Sequence, residues 1–250
     1  MRSWVATLMA IGGALAPIEA SGQTDDGVYQ AIMMRAAPGR FLDLIGLLTA
    51  RMPVYRAAGE PRPALLRHAQ GDHWDLLLLI PVASIEDHRS SDYRHRWESA
   101  LRRTGFDDAE FARRMDELIA WQEDLYVHGP PIAEFQAGIA TAGYFHLEIF
   151  QGLAGKRDSL LAERRMENDF LSRIGRPTNF VFRKITGAAW DLFTLGFYRD
   201  LQHYAEPSRA TPDEEETAAR AAGFESRAQI GPYLRRFLSS HHDTLGTIVR

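Results

Sequence analysis

The chain repeats itself, and this limits its architecture more than any other feature of the sequence. Residues 116 positions apart match: Gly39-Arg40 with Gly155-Lys156, Pro61 with Pro177, Arg67 with Arg183, Gly71 with Gly187, and Trp74-Asp75-Leu76 with Trp190-Asp191-Leu192. The offset becomes 118 at Gly105-Phe106-Asp107 against Gly223-Phe224-Glu225, and 119 at Asp124 against Asp243, as small loop insertions produce. Tryptophan is rare, so a recurring Trp-Asp-Leu in register with glycine and proline marks duplication of one structural unit.

Each copy reads as strand, helix, strand, strand, helices. Tyr29 to Met34 and Phe145 to Phe150 are short β-like runs, each followed by a turn and an amphipathic helix. In the first copy Phe41, Leu44, Ile45, Leu48, Met52 and Tyr55 recur at helical spacing; in the second, Leu160, Leu161, Arg164, Met166, Phe170 and Ile174 are a rougher version. Gly59 and Pro61, and likewise Gly175 and Pro177, stop these helices. Two hairpins follow, Ala64 to His68 with Trp74 to Ile80 and Phe180 to Ile185 with Trp190 to Leu195, with Gly71 and Gly187 in their tight loops. Ser84 with Asp87, and Thr211-Pro212-Asp213-Glu214, are helix starts. Leu125 to Val127 and Thr244 to Val249 read as short closing strands. The units divide as residues 27–129 and 144–250, joined by a linker over 130–143.

Residues 1–22 read as an export signal: Arg2, an apolar run from Trp4 to Ala16 too short to span a bilayer, and small residues at Ala20 and Gly22. Export predicts a periplasmic or secreted protein with no membrane partner once the signal is removed. The chain has no cysteine, so disulfides, thiolate chemistry and lipid anchors at cysteine are out, and the core must hold the fold. A net charge of −4 provides no field for nucleic acid. The most basic stretch, Arg94, His95, Arg96, Arg102 and Arg103, is interleaved with acids and reads as a solvated helix face. No nucleophile elbow, phosphate loop or dinucleotide fingerprint is present.

The element order, taken twice, resembles the dimeric α+β-barrel superfamily, which includes antibiotic-biosynthesis monooxygenases, NIPSNAP proteins, stress-responsive barrel proteins and the haem-binding chlorite dismutases and dye-decolourising peroxidases. The resemblance covers Tyr29 to the C-terminus and rests on element order and duplication. It implies an α+β fold of two tandem ferredoxin-like β-α-β-β-α units whose antiparallel sheets pair as one α+β barrel around a central cavity, both halves coming from one chain. The Gly-x-x-Asp-Gly haem motif of the peroxidases is absent.

Strand parity selects the candidate site residues. Phe145, Leu147 and Ile149 share one face and His146, Glu148 and Phe150 the other. With the all-apolar face assigned to the helices, the second face looks into the barrel. Its lining is then His146, Glu148, Asp191 and Arg183 beside Phe150, Phe193 and Val181. Such a mixture of apolar walls and a few polar groups suits a small-molecule site. His146 and Glu148 replace Gln30 and Ile32 of the first copy, so the second copy departs there from a structural default. A desolvated Glu148 with raised pKa would serve as general base and His146 or His242 as relay, with Asp243 beside them. Arg183 and Asn168 would orient an anionic or carbonyl group, and Arg164 shares a helix face with Asn168. Arg67, Asp75, Arg183 and Asp191 recur in both copies and read first as ion pairs across the hairpins. His241-His242-Asp243 reads as a helix C-terminus favouring histidine through the dipole, or as one histidine reaching the barrel mouth with Asp243.

The chemistry calls for no cofactor. His146, Glu148, His242 and Asp243 are suitable ligand types for a divalent metal, but their spacing does not demand one. Haem needs one axial histidine, and the nine present do not discriminate. The expected function is therefore an exported small-molecule-binding barrel, acting as a cofactor-independent monooxygenase or an isomerase or lyase on an apolar or aromatic substrate. A non-catalytic ligand-binding or stress-response protein and a haem protein are the alternatives, and exposed strand edges would allow a homodimer.

Overall fold

One sheet of eight strands closes on itself among the described residues. The computed structural model describes residues 27–250; the expected export signal, residues 1–22, lies outside them. The strands are β1 Gly27–Ala36, β2 Ala64–Gln70, β3 Leu76–Val82, β4 Ile119–Gly129, β5 Tyr144–Gly152, β6 Phe180–Thr186, β7 Leu192–Tyr198 and β8 Leu238–Val249. They form a closed barrel in the order β1-β3-β2-β8-β5-β7-β6-β4, with every pairing antiparallel. The first half contributes β4-β1-β3-β2 and the second β8-β5-β7-β6, joined at the β2–β8 and β4–β6 seams. Among the described residues no helix is long and apolar enough to cross a membrane.

The lumen is solid. Tyr29, Met33, Leu66, Leu77, Leu125, Phe145, Leu147, Ile149, Phe182 and Phe193, drawn from both halves, belong to one buried cluster. Phe182 and Phe193 stack across it with ring centroids 4.5 Å apart. Strand β3, Leu-Leu-Leu-Leu-Ile-Pro-Val, is buried along its whole length: Leu77 and Leu79 join the lumen cluster, while Leu76, Leu78 and Ile80 pack under the helices. The tryptophans of the repeated Trp-Asp-Leu, Trp74 and Trp190, close the hairpin end.

The expected central cavity is therefore corrected. The parity of β5 is as the sequence predicts, but its faces are reversed: Phe145, Leu147 and Ile149 point inward, and His146, Glu148 and Phe150 point outward beneath the helices. An eight-stranded barrel is just wide enough for side chains to fill, so the most apolar face is the one that goes inside.

Repeat-related atoms make equivalent contacts. The Asp75 carboxylate accepts the Ala36 N–H at 2.8 Å, and Asp191 accepts that of Gly152 at 2.9 Å. The Asp75 N–H donates to Met34 O at 2.8 Å, and the Asp191 N–H to Phe150 O at 2.9 Å. These aspartates tie each hairpin to the end of the half's first strand. The expected pairing with Arg67 and Arg183 gives way to this role: Arg67 lies over the Phe41 ring, and the cation at Asp191 is Lys184, 3.5 Å away. Gly71 and Gly187, at φ +125° and +113°, press into the closing strand of the other half. A Cβ on Gly71 would lie 1.9 Å from Asp243 O, and one on Gly187 2.6 Å from Asp124 O.

The helices hold further differences from the sequence reading. The first-half helix divides into Phe41–Ala50 and Met52–Ala58, with Pro53 in the first turn of the second piece, whereas Arg157–Arg173 is continuous. Thr211 starts a helix as expected, and with Glu214 it forms a capping box. His241-His242-Asp243 lies within β8, not at a helix end, because this segment pairs with β5. Between the halves Ile132–Thr141 is a helix, and its fully buried Phe135 plugs the barrel end opposite the tryptophans, edge-on to Tyr29 and Phe182.

Two stability outcomes follow from this packing. Phe135→Ala should cost about 3–5 kcal/mol, as for a large aromatic removed from a core. Gly187→Ala should cost more than roughly 1 kcal/mol, from positive φ together with the contact to the Asp124 backbone. Urea denaturation followed by circular dichroism measures both; a Phe135→Ala change below about 0.5 kcal/mol, the surface range, would show that the helix is no plug.

Candidate functional site

With the lumen filled, polar chemistry lies in the two spaces between the outer sheet faces and their helices. In the second half, alternation on β5 and β8 sets four side chains on one outer face: His146, Glu148, His241 and Asp243. The antiparallel register places Glu148 opposite Asp243 and Phe150 opposite His241. His146 Nε2 is 3.1 Å from Asp243 Oδ1, and His241 Nε2 is 3.4 Å from Glu148 Oε1. The Thr194 hydroxyl donates to Glu148 Oε2 at 2.9 Å. The His241 ring stacks on Phe150, centroids 4.8 Å apart and 13° from parallel.

Arg164, buried in the helix Arg157–Arg173, covers this face. Its guanidinium is 3.7 Å from Glu148, donates to Glu163 at 2.6 Å, and pairs with Glu167. One guanidinium thus meets three carboxylates. Burial pushes Glu148 up, but its hydrogen bond with His241, the Arg164 charge, His146 and Thr194 outweigh that and hold its pKa at about 2. The bond to Glu148 raises His241 against the effect of burial. Burial raises Glu167 to about 7 despite Arg164, with the charges of Glu148 and Glu163 adding to the rise. Burial also raises Glu163, against its bond to Arg164. A single cation cannot keep three neighbouring acids ionised, and Glu167 is the one left near neutrality. The expectation of a raised Glu148 is corrected: it is the carboxylate with the most donors.

The other residues singled out in the sequence fall elsewhere. Phe193 is in the lumen. Asn168 clamps the segment entering β6, donating to Asn179 O at 2.7 Å and accepting the Asn179 N–H at 2.8 Å. Arg183 sits on β6 opposite Leu192 of β7 and His128 of β4. His242 faces the first half's hairpin, 3.8 Å from Asp72. His241, its neighbour, reaches Glu148, since adjacent strand residues point to opposite faces.

The first half carries an open cavity of about 480 Å³ at the corresponding level. Its floor is Gln30, Ile32, Met34, Leu78 and Ile80, and its roof includes Tyr55, Trp97, Phe111 and Met115. Arg51 is held over the Phe111 and Trp97 rings at 4.1 and 5.0 Å and donates to Asp108 at 2.8 Å. At one side His88 and Tyr93 meet edge-to-face, 4.6 Å between centroids, and His88 Nδ1 lies 3.1 Å from the Tyr126 hydroxyl. Burial lowers the His88 pKa below its ordinary 6.5, opposed by Glu60 and Asp87 and reinforced by Arg89. Burial raises the Tyr93 phenol. The imidazole is therefore neutral at pH 7. The cavity belongs to the size and polarity class of small-molecule sites.

Sequence reading passes over His88 because it stands in a short charged helix, Ile85–His88, that looks solvated. The available signal was Gln30 and Ile32: where the second half has a charged pair beneath a charged helix, the first keeps neutral side chains beneath an apolar one.

No protein-family model matches the chain, and no curated protein matches it in sequence. Solved structures do share its fold. An anthrone oxidase-like protein is 14% identical, with 92% of this chain and 93% of that one covered, at a TM-score of 0.56. A provisionally assigned monooxygenase from Fusobacterium nucleatum is 7% identical, with 90% and 93% covered, at 0.50. A mutant chlorite dismutase from Candidatus Nitrospira defluvii is 13% identical, with 89% and 92% covered, at 0.46. At such identities the likeness is one of fold alone, a closed antiparallel barrel with covering helices.

Proposed function

We propose that this chain is an exported, cofactor-independent monooxygenase-type enzyme, built from two tandem ferredoxin-like units, that takes an apolar aromatic molecule into the first-half cavity. The carrying observation is a neutral His88, flanked by Tyr93 and Tyr126, at the edge of a cavity whose remaining wall is mostly apolar and aromatic. Equivalent hydrogen bonds of Asp75 and Asp191 support the tandem arrangement. The likeness to an anthrone oxidase-like protein suggests the substrate type, a ring-flanked methylene with an acidic C–H.

In this reading aromatic stacking against Trp97 and Phe111 binds the rings within the cavity. His88 takes the methylene proton. The carbanion passes electrons to dioxygen, the co-reactant, and a CH₂ group and O₂ become C=O and water. That stoichiometry balances with no added reductant.

With anthrone as probe, oxygen-electrode measurements should show one O₂ consumed per methylene oxidised. His88→Gln should lower kcat by about 10²–10⁴-fold, the usual contribution of a positioned base. Ile32→Trp should abolish binding by filling the cavity while the melting temperature stays near wild type. Binding without O₂ uptake would make the protein a ligand carrier; equal uptake by wild type and His88→Gln would remove the base assignment.

The pH dependence has a definite sign. Below pH 6.5 the unfolded chain takes up a proton at His88 that the fold resists, so this group makes folding less favourable as pH falls from 6.5 toward its lowered value, and has no effect above. The acid limb of kcat/KM should lie below pH 6.5, and stability of the wild type relative to His88→Gln should fall across the same window. An acid limb above 6.5 would contradict a buried neutral imidazole.

A further inference from the structure

We infer that the outer face of the β5–β8 pair is a divalent transition-metal site, with His146 and Glu148 of β5 and His241 and Asp243 of β8 as its ligands. The strands impose the set: positions i and i+2 on two adjacent strands share one face, and the register brings the four side chains to one point. Donor atoms of His146, Glu148 and Asp243 all lie within 4.8 Å of one another. His241 Nε2 adds a fourth, 3.4 Å from Glu148 Oε1 and 3.6 Å from Asp243 Oδ1.

The separations carry the argument. Four ligands placed tetrahedrally around zinc at about 2.0–2.1 Å stand roughly 3.4 Å from one another. The nitrogen–oxygen distances here are 3.1, 3.4 and 3.6 Å. The supports of a metal centre are also present. Glu148 uses Oε1 toward the site, while Oε2 is held by Thr194 and faces Arg164. Phe150 fixes the plane of His241, and the Tyr204 ring lies 5.3 Å from that of His146. Arg164 meets the carboxylates of Glu148, Glu163 and Glu167 on the helix side of the site, and Asp243 adds a fourth carboxylate on the histidine side. Asp243 is 56% exposed, leaving the site open on one side to water or substrate.

The repeat is an internal control. Three of the four positions lack a strong ligand in the first half, where Gln30, Ile32 and Gln122 stand for His146, Glu148 and His241. There Gln30 donates to Asp124 at 2.9 Å, keeping the geometry of His146 with Asp243 without the ligand types. Two imidazoles with two carboxylates favour zinc or a neighbouring first-row ion over calcium or magnesium. The same cluster does not fit haem: both imidazole nitrogens facing the site point to carboxylates, and His241 has one ring face covered by Phe150.

The test is calorimetric titration of zinc into the full chain, purified without a histidine tag and stripped with chelator, alongside the visible spectrum of the cobalt(II)-loaded protein. One equivalent should bind with a raised melting temperature, and cobalt should give the intense bands of four-coordinate nitrogen–oxygen ligation. His241→Gln and Asp243→Asn should each weaken binding by more than about 10-fold, whereas His242→Gln and Asp124→Asn should not. Absence of a one-to-one isotherm in the wild type overturns the site, as does equal weakening by His242→Gln. If a variant fails to fold, cobalt decides alone: six-coordinate, weakly absorbing cobalt in the wild type rejects this ligand set.

Discussion

Closure of the barrel is the constraint on which the other features depend. Each strand hydrogen-bonds on both sides, including the β2–β8 and β4–β6 seams, where the halves meet. A closed sheet has no edges to defend, but its lumen must be filled. Aromatic and aliphatic residues from both halves fill it, with Trp74 and Trp190 at one end and Phe135 at the other. The halves share this core, so neither buries its inner face without the other. Each also presses a positive-φ glycine onto the other's closing strand, where any side chain would collide with backbone.

A filled lumen displaces binding and chemistry to the outer faces, where a helical layer covers each half-sheet. The two halves of the barrel supply two such spaces on one frame, and their contents differ. In the first, neutral side chains leave an aromatic-walled cavity with a neutral histidine at its edge. In the second, an arginine and four acids take up the corresponding space with two imidazoles. The backbone contacts of the repeated hairpins are the same, so the difference lies in side chains and in the covering helix, which is divided in the first half and continuous in the second.

The charged space shows how proximity decides protonation. Glu148 is buried, yet its donors keep it ionised; Glu167, beside the same arginine, is left near neutrality because the guanidinium is already shared. Burial pushes both carboxyls up; at Glu148 the donors reverse the effect, and at Glu167 Arg164 does not.

The sequence by itself determined the internal repeat, the element order, the turn glycines and the alternation of each strand. These are local properties: periodicity, turn chemistry and a recurring Trp-Asp-Leu show them without knowledge of distant contacts. It also marked His146 and Glu148 as a departure from the sister half, and these two meet Asp243, which is aspartate in both halves. Tertiary structure decided which face of each strand points inward, because alternation has parity but no sign, and the sign comes from closing the sheet through pairings over a hundred residues apart. It decided, too, that His241 and not His242 joins Glu148, since the segment is a strand only by virtue of pairing with β5. The first-half cavity and His88 were invisible for the same reason: an empty space has no residue of its own, and exists only where two elements distant in sequence fail to fill the gap between them.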